Sequence, residues 1–494
     1  RPMGAGASAA LKTLKTASSD DLNKAVGSLS AADRKRLLAA LSETRAFNLD
    51  DPDDVFQSCD TDLSGKLDMF ETRFALQAFG IFVSQEQVRE LLGEKDAFTN
   101  GEFRSLLKKT REDQSIGERK PRAVPYSKRG LFLAQLQKLE EATMDGGYLE
   151  KECTNFNEKN AEEISVGKKF SMGLNLYAMN TFFVTPVTAV GSAKVPTEVR
   201  TKAGAPEAVR ESSYAELLNP DGVDINFFIS HFWGHAFRST MKSIRNHAAS
   251  VCAGPGAIPG KGVLEYVYWV CVFALNQHRP GEEVGSSPEE GPFNAALAKA
   301  TNGAIMILDQ DVRPFSRIWC LFEVHKMQKL NFELVLVSED GPLNPLGGVI
   351  EPSVMTMADE ACNSIEKVSG FTAKASCEED LFAIWYRIGS WDGWSLQGMK
   401  EVCIGSDGGY NPGIASTFEQ FDIRVGQLLA TPVLRSSLHA GNAERAIRCL
   451  GLGAVCDEKV LEQLEKLGVD LKTAKAPASK FDSGGEKDLV SVMA

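Results

Sequence analysis

The chain has 494 residues, of which 43% are hydrophobic and 24% are charged, and its formal net charge at pH 7 is -12. The length predicts about two to four domains of ordinary globular composition. The acidic balance argues against nonspecific binding to nucleic acid, which depends on clustered Lys and Arg side chains that release counterions. Apolar runs stay shorter than the roughly eighteen residues of a membrane-spanning helix.

Ten cysteines are scattered along the chain without a CxxC pair. A chain of this size does not need disulfides to hold a core together. The pattern therefore predicts reduced thiols, several of them in the core, and a cytoplasmic location.

The first residues contain a pattern for N-terminal acylation. Met3 and Gly4 begin the sequence M-G-x-x-x-S, in which Gly4 carries a myristoyl group if Met3 is the initiator. A disordered tail of small residues is the alternative interpretation. One acyl chain gives only weak, reversible contact with a membrane. The remainder of residues 1–45 predicts a helical segment, with a capping-box-like helix start at Ser30 and Asp33.

Residues 46–112 predict a pair of EF-hands. A helix that begins at Asp51 and Pro52 leads into a loop with an oxygen at each ligand position and a glycine, Gly65, at the sharp turn. The predicted ligands are the side chains of Asp60, Asp62, Ser64, Asp68 and Glu71 and the main-chain carbonyl of Lys66. The sequence therefore predicts a functional site with Ca²⁺ as its cofactor, acting either as a sensor or as a structural ion.

A second loop follows, but it lacks the ligands of the first. When Glu102 is aligned with the last ligand position, the first, third and fifth positions are occupied by Leu91, Gly93 and Lys95. The second hand is therefore predicted to be degenerate, metal-free and structural. Phe98 is expected opposite Leu67 in the short two-stranded bridge between the loops.

Residues 113–221 predict a linker followed by a helical and extended connector. The stretch 108–128 is polar and basic, and it is interpreted as a solvated connection rather than a nucleic-acid patch. Apolar periodicity predicts a helix over 130–144. Residues 182–188 are expected to be extended, and 213–218 to form a short helix.

An α/β domain is predicted over residues 222–440. Its strands are continuous apolar runs, which are typical of a parallel sheet covered by helices on both faces. The predicted strands are 225–230, 266–275, 304–308 and 333–337. The predicted intervening helices are 235–250, 292–300 and 316–330. The chain is thus expected to be multidomain, with an all-α EF-hand region followed by an α/β parallel sheet and extra helices.

Polar and aromatic residues follow the predicted strands, so they are expected at the carboxyl edge of the sheet, where ligands bind. Glu323 lies four residues after Trp319 in an apolar helical turn, and its partial desolvation makes it the leading candidate for catalysis. A structural ion pair of Glu323 with Arg313 or Arg317 is the alternative. The candidate substrate-binding residues are Ser230, His231, Phe232, Trp233, His278, Asp309 and Trp319.

These residues also carry a resemblance to a known family. Residues 224–231 resemble the first strand of a Toll/interleukin receptor (TIR) domain, and 293–326 are similar to the helix region by which that family is most readily recognised. The resemblance covers roughly residues 222–345 and implies a flavodoxin-like fold. The strings SHFWG and RIWCLFEV also resemble uncharacterised proteins of unicellular algae. The chain departs from the TIR pattern in its longer predicted second strand and in the histidine-rich loop after the first.

The TIR family contains self-associating signalling scaffolds and enzymes that cleave the nicotinamide–ribose bond of NAD. The resemblance implies that Glu323 is the catalytic carboxylate if this chain belongs with the enzymes. Loss of cationic nicotinamide needs no acid to protonate it, but it needs a carboxylate that stabilises an oxocarbenium-like transition state and aromatics that stack on the ring. Phe232, Trp233 and Trp319 are the candidate stacking surfaces.

Three functions stay open at this point. The first is a calcium-regulated NAD glycohydrolase, with NAD or a related nucleotide as partner, and the second is a noncatalytic, self-associating scaffold regulated by calcium. The third is a metal-dependent hydrolase, since the close spacing of His231 and His235 would allow a zinc or iron site with His278 and Asp309.

The remaining sequence predicts supporting helices. Residues 378–388 and 416–429 are amphipathic, and 441–494 are expected to form two short helices and a tail. The glycine-rich stretch 405–413 lacks the lysine of a phosphate-binding loop and is interpreted as an ordinary loop.

Overall fold

The computed structural model describes only part of the chain. The described residues are 47–254, 256–284, 291–330, 332, 334–344, 351–389, 403–404, 411–456 and 458–469. Those from Leu49 onward belong to one compact unit. The predictions for residues 1–45, for most of 405–413 and for the tail lie outside the described residues.

The EF-hand region contains four helices and two short pairs of strands. Its helices are Pro52–Cys59, Met69–Gln77, Gln85–Leu92 and Asn100–Glu112. Asp51 caps the first helix by accepting a hydrogen bond from the Asp53 N–H at 3.0 Å, as its position before Pro52 predicts. Strand β1 (Lys66–Leu67) pairs antiparallel with β3 (Phe98–Thr99), and Leu67 lies opposite Phe98. The predicted bridge between the loops is therefore confirmed.

The basic stretch after this region is not a free connection. Strand β4 (Glu118–Arg119) pairs with β2 (Ile81–Phe82), and the Arg122 guanidinium donates to the Ala78 carbonyl at 2.8 Å. Tyr126, a few residues on, is buried. The stretch predicted as a solvated linker therefore packs against the EF-hand region.

A six-stranded mixed sheet forms the centre of the α/β region. Its strands are β5 (Leu131–Phe132), β6 (Phe227–His231), β7 (Val267–Trp269), β8 (Ala304–Ile307), β9 (Leu334–Ser338) and β10 (Gly341–Pro342). The spatial order is β10-β9-β8-β6-β7-β5. Strands β6 to β9 are parallel, as predicted, whereas β5 and β10 are antiparallel edges. The prediction of a purely parallel sheet missed these edges because each is a two-residue strand without a hydrophobic pattern of its own.

Helices surround the sheet. Those of the connector are Leu133–Glu140, Tyr148–Lys159, Ala161–Ser165, Leu176–Met179, Thr185–Val187, Thr197–Lys202 and Tyr214–Leu218. Those between the strands are Phe237–Ala253, Cys271–Ala274, Pro280–Val284, Pro292–Lys299 and Ile318–Lys329. Those that follow are Pro352–Ile365, Glu378–Gly389, Glu419–His439, Ala443–Gly451 and Glu458–Lys466. Within the described residues, no helix combines the length and the apolar character needed to cross a bilayer.

Two local predictions were wrong. The second strand ends at Trp269, and Cys271–Ala274 is helical, because a continuous apolar run does not distinguish a strand from a buried helix. The segment 182–188 is not extended: a π-helical turn, Asn180–Val184, continues into the helix Thr185–Val187, and Thr188 caps it. There the burial of Phe183 in the core outweighs the local preference of aromatic and β-branched residues for strands.

Candidate functional site

The loop Asp60–Glu71 brings its acidic side chains together. Carboxylate oxygens of Asp60, Asp62 and Glu71 all lie within 4.8 Å of one another. Gly65 has a φ of 77°, a conformation that glycine adopts without a steric penalty, and it turns the chain back towards these oxygens. A concave set of carboxylate and carbonyl oxygens is the donor set that Ca²⁺ prefers.

Backbone hydrogen bonds hold the two buried acids of the loop in place. Asp60 accepts from the N–H groups of Ser64 and Gly65, both at 3.0 Å. Glu71 accepts from the Thr61 N–H at 2.7 Å and from the Asp68 N–H at 3.0 Å. Burial nevertheless raises the pKa of Asp60 to about 6 and that of Glu71 to about 7. The loop therefore holds carboxylates that a bound cation would stabilise.

The second loop contains a lysine, Lys95, beside its last acid. The Lys95 ammonium lies 2.5 Å from the Glu102 carboxylate, which also accepts from the Thr99 N–H at 2.8 Å. The hydrogen bond from Lys95 lowers the pKa of Glu102 to about 2. In this loop a lysine thus stands beside the acid that would complete a metal site in an intact EF-hand.

Glu323 lies in the helix Ile318–Lys329 beside the carboxyl end of β6 and is only 7% exposed. Among the described atoms, its Oε2 and the Oγ of Ser230 have no hydrogen-bond partner. Burial raises the pKa of Glu323 to about 8, and the nearby Ser230 hydroxyl opposes part of this rise. The carboxyl group is therefore protonated at neutral pH.

The predicted alternative role of Glu323 in an ion pair is wrong. Arg313 is paired with Asp309 at 3.6 Å and with Asp311 at 2.5 Å. Arg317 donates instead to the Ser376 hydroxyl at 2.8 Å. Among the described residues Glu323 has no partner cation, and burial without one distinguishes it from an ordinary surface acid of a helix.

The buried thiols of Cys271 and Cys320 lie near Glu323. The Cys320 thiol donates to the His231 carbonyl at 3.6 Å, and Trp233 Nε1 donates to Cys271 Sγ at 3.1 Å. Burial lowers the pKa of His231 to about 4 and raises that of Cys271 to about 12. The imidazole and both thiols are thus uncharged at neutral pH, and all ten cysteines of the chain are free.

The candidate stacking residues Phe232 and Trp233 each contact other side chains of the protein. The Phe232 ring lies 5.7 Å from the guanidinium carbon of Arg313 and 5.5 Å from that of Arg317. Trp233 contacts Tyr177, with ring centroids 5.5 Å apart.

Trp319 has partners of its own. Its ring stacks on Phe293 at 5.0 Å, and its Nε1 donates to Asp380 at 2.9 Å. The aromatic rings of this edge are therefore already engaged by the protein.

The candidate residues His278, His235 and Asp309 contact different partners and do not form a common site with Glu323. His278 Nε2 lies 3.0 Å from the Thr188 hydroxyl, whereas Asp309 accepts from the Arg313 N–H at 2.7 Å. His235 Nδ1 lies 3.2 Å from the Thr240 hydroxyl. In the described part of the chain, the one group of acids, histidines or cysteines close enough to hold a metal ion is that of the Asp60 loop. A histidine metal centre has no geometric support there.

An open pocket at this edge was predicted, but the connector covers it. Leu176 donates its N–H to the Trp233 carbonyl at 3.0 Å, and Asn175 forms a β-bridge with Ala236. Three cavities of about 1150, 500 and 320 Å³ lie in the described part of the chain, and Glu323 lines none of these. Because Glu323 is only 7% exposed, a substrate reaches its carboxyl group only if the surrounding structure moves.

Sequence reasoning missed one residue beside the loop Asp60–Glu71. The half-buried ammonium of Lys299, at the end of Pro292–Lys299, donates to the Gln57 carbonyl at 2.8 Å. The two residues are 242 positions apart, so no local pattern signals the contact.

No family model, no curated protein and no solved structure matches this chain. The candidate functions are therefore argued from the geometry of the two sites.

Proposed function

We propose that the chain is a calcium-binding protein whose Asp60–Glu71 loop holds one Ca²⁺. The observation that carries this proposal is the convergence of Asp60, Asp62 and Glu71 oxygens within 4.8 Å. The Ser64 hydroxyl, the Lys66 carbonyl and Asp68 occupy the other ligand positions of an EF-hand loop. A bound ion would neutralise carboxylates that burial makes costly to ionise.

Isothermal titration calorimetry with calcium tests this proposal directly. Wild-type protein is expected to bind calcium, and Glu71→Gln is expected to weaken binding at least tenfold because one of two carboxylate oxygens is lost. Glu102→Gln is the matched control, since it makes the same change at the same position of the degenerate loop. Equal affinity of the wild type and Glu71→Gln would overturn the proposal.

A second candidate function is cleavage of the nicotinamide–ribose bond of NAD or a related nucleotide at Glu323. The unpartnered, buried carboxyl oxygen of Glu323 favours it. The four parallel strands lie in the spatial order β7-β6-β8-β9. This agrees with the flavodoxin-like order, in which the first strand of the chain lies between the second and the third. The carboxylate that such a reaction needs would form when the cover over the edge opens and water or a cationic substrate reaches Glu323.

Release of nicotinamide from NAD tests this activity. We expect release by the wild type, at least a hundredfold less by Glu323→Gln, and wild-type rates for Asp311→Asn, an exposed acid of the same edge. Because the pKa of Glu323 is raised to about 8, the rate should increase from pH 6 to pH 9. Assays in calcium and in EGTA show whether the loop controls the activity.

A noncatalytic, self-associating scaffold is the alternative to this enzyme. It is supported if purified protein releases no nicotinamide at any pH, with or without calcium, yet forms dimers or larger species in light scattering. If the wild type and Glu323→Gln released nicotinamide at the same rate, Glu323 would have no catalytic role.

A further inference from the structure

Two buried thiols face each other between helices that follow the sheet. Cys362 lies in Pro352–Ile365 and Cys449 in Ala443–Gly451, and their Sγ atoms are 4.0 Å apart. Both side chains are 0% exposed, and 87 positions separate them in the sequence. The two sulfurs are thus already in van der Waals contact. Since the sulfurs of a disulfide are about 2.05 Å apart, they need to approach by only about 2 Å to form a bond.

Ion pairs fix the two helices against each other on both sides of these thiols. The Arg445 guanidinium donates to the Asp359 carboxylate at 2.6 Å, one helical turn before Cys362. The Arg448 guanidinium donates to the Glu366 carboxylate at 2.6 Å, one turn after it. The helices are therefore held in a register that sets the two thiols opposite each other. Rotation of the two side chains about χ1, rather than a shift of a helix, brings the sulfurs together.

The two thiols differ in acidity. The hydrogen bond with Cys449 lowers the pKa of Cys362, and the positive charges of Arg448 and Arg445 lower it further, although burial opposes them. The same hydrogen bond and burial raise the pKa of Cys449. Cys362 is therefore the thiol that ionises first, and the thiolate is the form of cysteine that attacks an oxidant. Cys449 keeps its proton and lies where a second thiol is needed to complete a disulfide.

We propose that Cys362 and Cys449 form a reversible disulfide when the protein is exposed to hydrogen peroxide. The Cys362 thiolate attacks one peroxide oxygen: the O–O bond breaks, Cys362 becomes a sulfenic acid, and the leaving hydroxide takes up a proton to become water. The sulfur of Cys449 then attacks that of Cys362, so the S–S bond forms and the S–O bond breaks as a second water leaves. Two thiols are oxidised by two electrons while one peroxide is reduced to two waters. A dithiol such as dithiothreitol reverses the reaction by thiol–disulfide exchange.

Burial of the pair determines how fast it reacts. Because both sulfurs are fully buried, peroxide reaches them only when the helix pair opens transiently, so oxidation is expected to be slower than at the exposed Cys252. This redox pair is independent of the calcium site and of Glu323. Two thiols that served only to fill the core would stay reduced under the same treatment.

Mass spectrometry of peptides tests this pair. The reduced chain is treated with a small molar excess of hydrogen peroxide, its free thiols are alkylated in denaturant, and the protein is digested. We expect a cross-linked peptide containing Cys362 and Cys449 in most molecules, and its loss after dithiothreitol. Cys252→Ala, which removes an exposed thiol, is the control and should form the same cross-link. Full alkylation of Cys362 and Cys449 after peroxide, or cross-links spread to the same extent among the other cysteines, would overturn the proposal.

Thermal unfolding tests the pre-aligned geometry. The cross-link joins positions 87 apart and so constrains the unfolded chain, and peroxide treatment is expected to raise the unfolding temperature of the wild type by about 5 °C. Cys449→Ala, which keeps Cys362 but removes its partner, should show no such rise and should accumulate a sulfenic acid at Cys362 that reacts with dimedone. A cross-linked wild type whose unfolding temperature stays the same or falls would show that the bond forms only by distorting the two helices, which contradicts their alignment.

Discussion

At the scale of single residues, Glu323 is the most unusual group in the described structure. A glutamate is ordinarily exposed or paired with a cation. Glu323, however, is 7% exposed, and its Oε2 has no hydrogen-bond partner among the described atoms. Burial raises its pKa to about 8, so the folded protein holds a neutral carboxyl group at this position over most of the physiological range.

The first prediction concerns the pH dependence of stability. Because the pKa of Glu323 is about 8 when folded and near 4.5 when unfolded, the unfolded state releases its proton first, and the stability of the wild type falls as pH rises from about 4.5 to 8. Glu323→Gln removes this loss. Its stability relative to the wild type should rise on the order of 4 kcal/mol between pH 4.5 and pH 8.

Urea denaturation of both proteins at the two pH values measures this difference. Any constant cost of burying the amide that Glu323→Gln introduces cancels between the two pH values, and Asp311→Asn controls for loss of an exposed acid. A relative stability that does not change with pH would show that Glu323 ionises freely in the folded state.

At the scale of elements, the pairing of the two EF-hand loops depends on apolar contacts. Leu67 and Phe98 lie opposite each other in β1 and β3 and are 0% and 5% exposed. Packing of this bridge holds the loop Asp60–Glu71 against the second loop, so the second loop contributes to the fold without the acidic ligands of the first.

The second prediction is that Phe98→Ala destabilises the metal-free protein by about 3 kcal/mol, since it leaves a cavity in a packed core. Phe170→Ala is the matched control: Phe170 is 94% exposed, so its loss should cost less than about 0.5 kcal/mol. Chemical denaturation in EGTA measures both. Equal stabilities of the two variants would show that the bridge does not contribute to the fold.

The elements that sequence predicted well are those whose signals are local. Asp60, Asp62 and Glu71, whose oxygens come together, lie within one short loop, and β6, β8 and β9 are apolar runs that begin and end within two residues of their predicted positions. Residues 182–188 were misassigned because packing of Phe183 in the core decides their conformation. The contact of the connector with the loop after β6 and the contact of Lys299 with Gln57 join distant parts of the chain, so periodicity and spacing contain no signal for them.

At the scale of the whole molecule, one buried ion cluster joins three parts of the chain. Arg129, before β5, is 2% exposed and lies 2.9 Å from Glu283 and 3.7 Å from Glu216. It also donates to the Val124 carbonyl at 2.7 Å. The cluster thus fixes the edge strand to the helices Tyr214–Leu218 and Pro280–Val284.

The third prediction is that Arg129→Met destabilises the protein by about 3–5 kcal/mol, because it removes the cation of Glu283 and leaves the buried Glu216 with only Arg210, at 3.8 Å. Arg279→Met is the control, since Arg279 pairs with Glu211 at 3.3 Å on the exposed surface and its loss should cost about 0–1 kcal/mol. Thermal unfolding of both variants measures the difference. Similar losses in the two variants would contradict a structural role for the buried cluster.

The central claim is that one of the two loops holds calcium, and native mass spectrometry in the presence of calcium tests it most directly by counting bound ions. At a calcium concentration that just saturates the wild type, one calcium ion is expected on the wild type and on Glu102→Gln, and a clearly lower occupancy on Glu71→Gln, whose affinity is expected to be at least tenfold weaker. A wild type that carries no ion, or a Glu71→Gln variant that carries one to the same extent as the wild type, would contradict the claim.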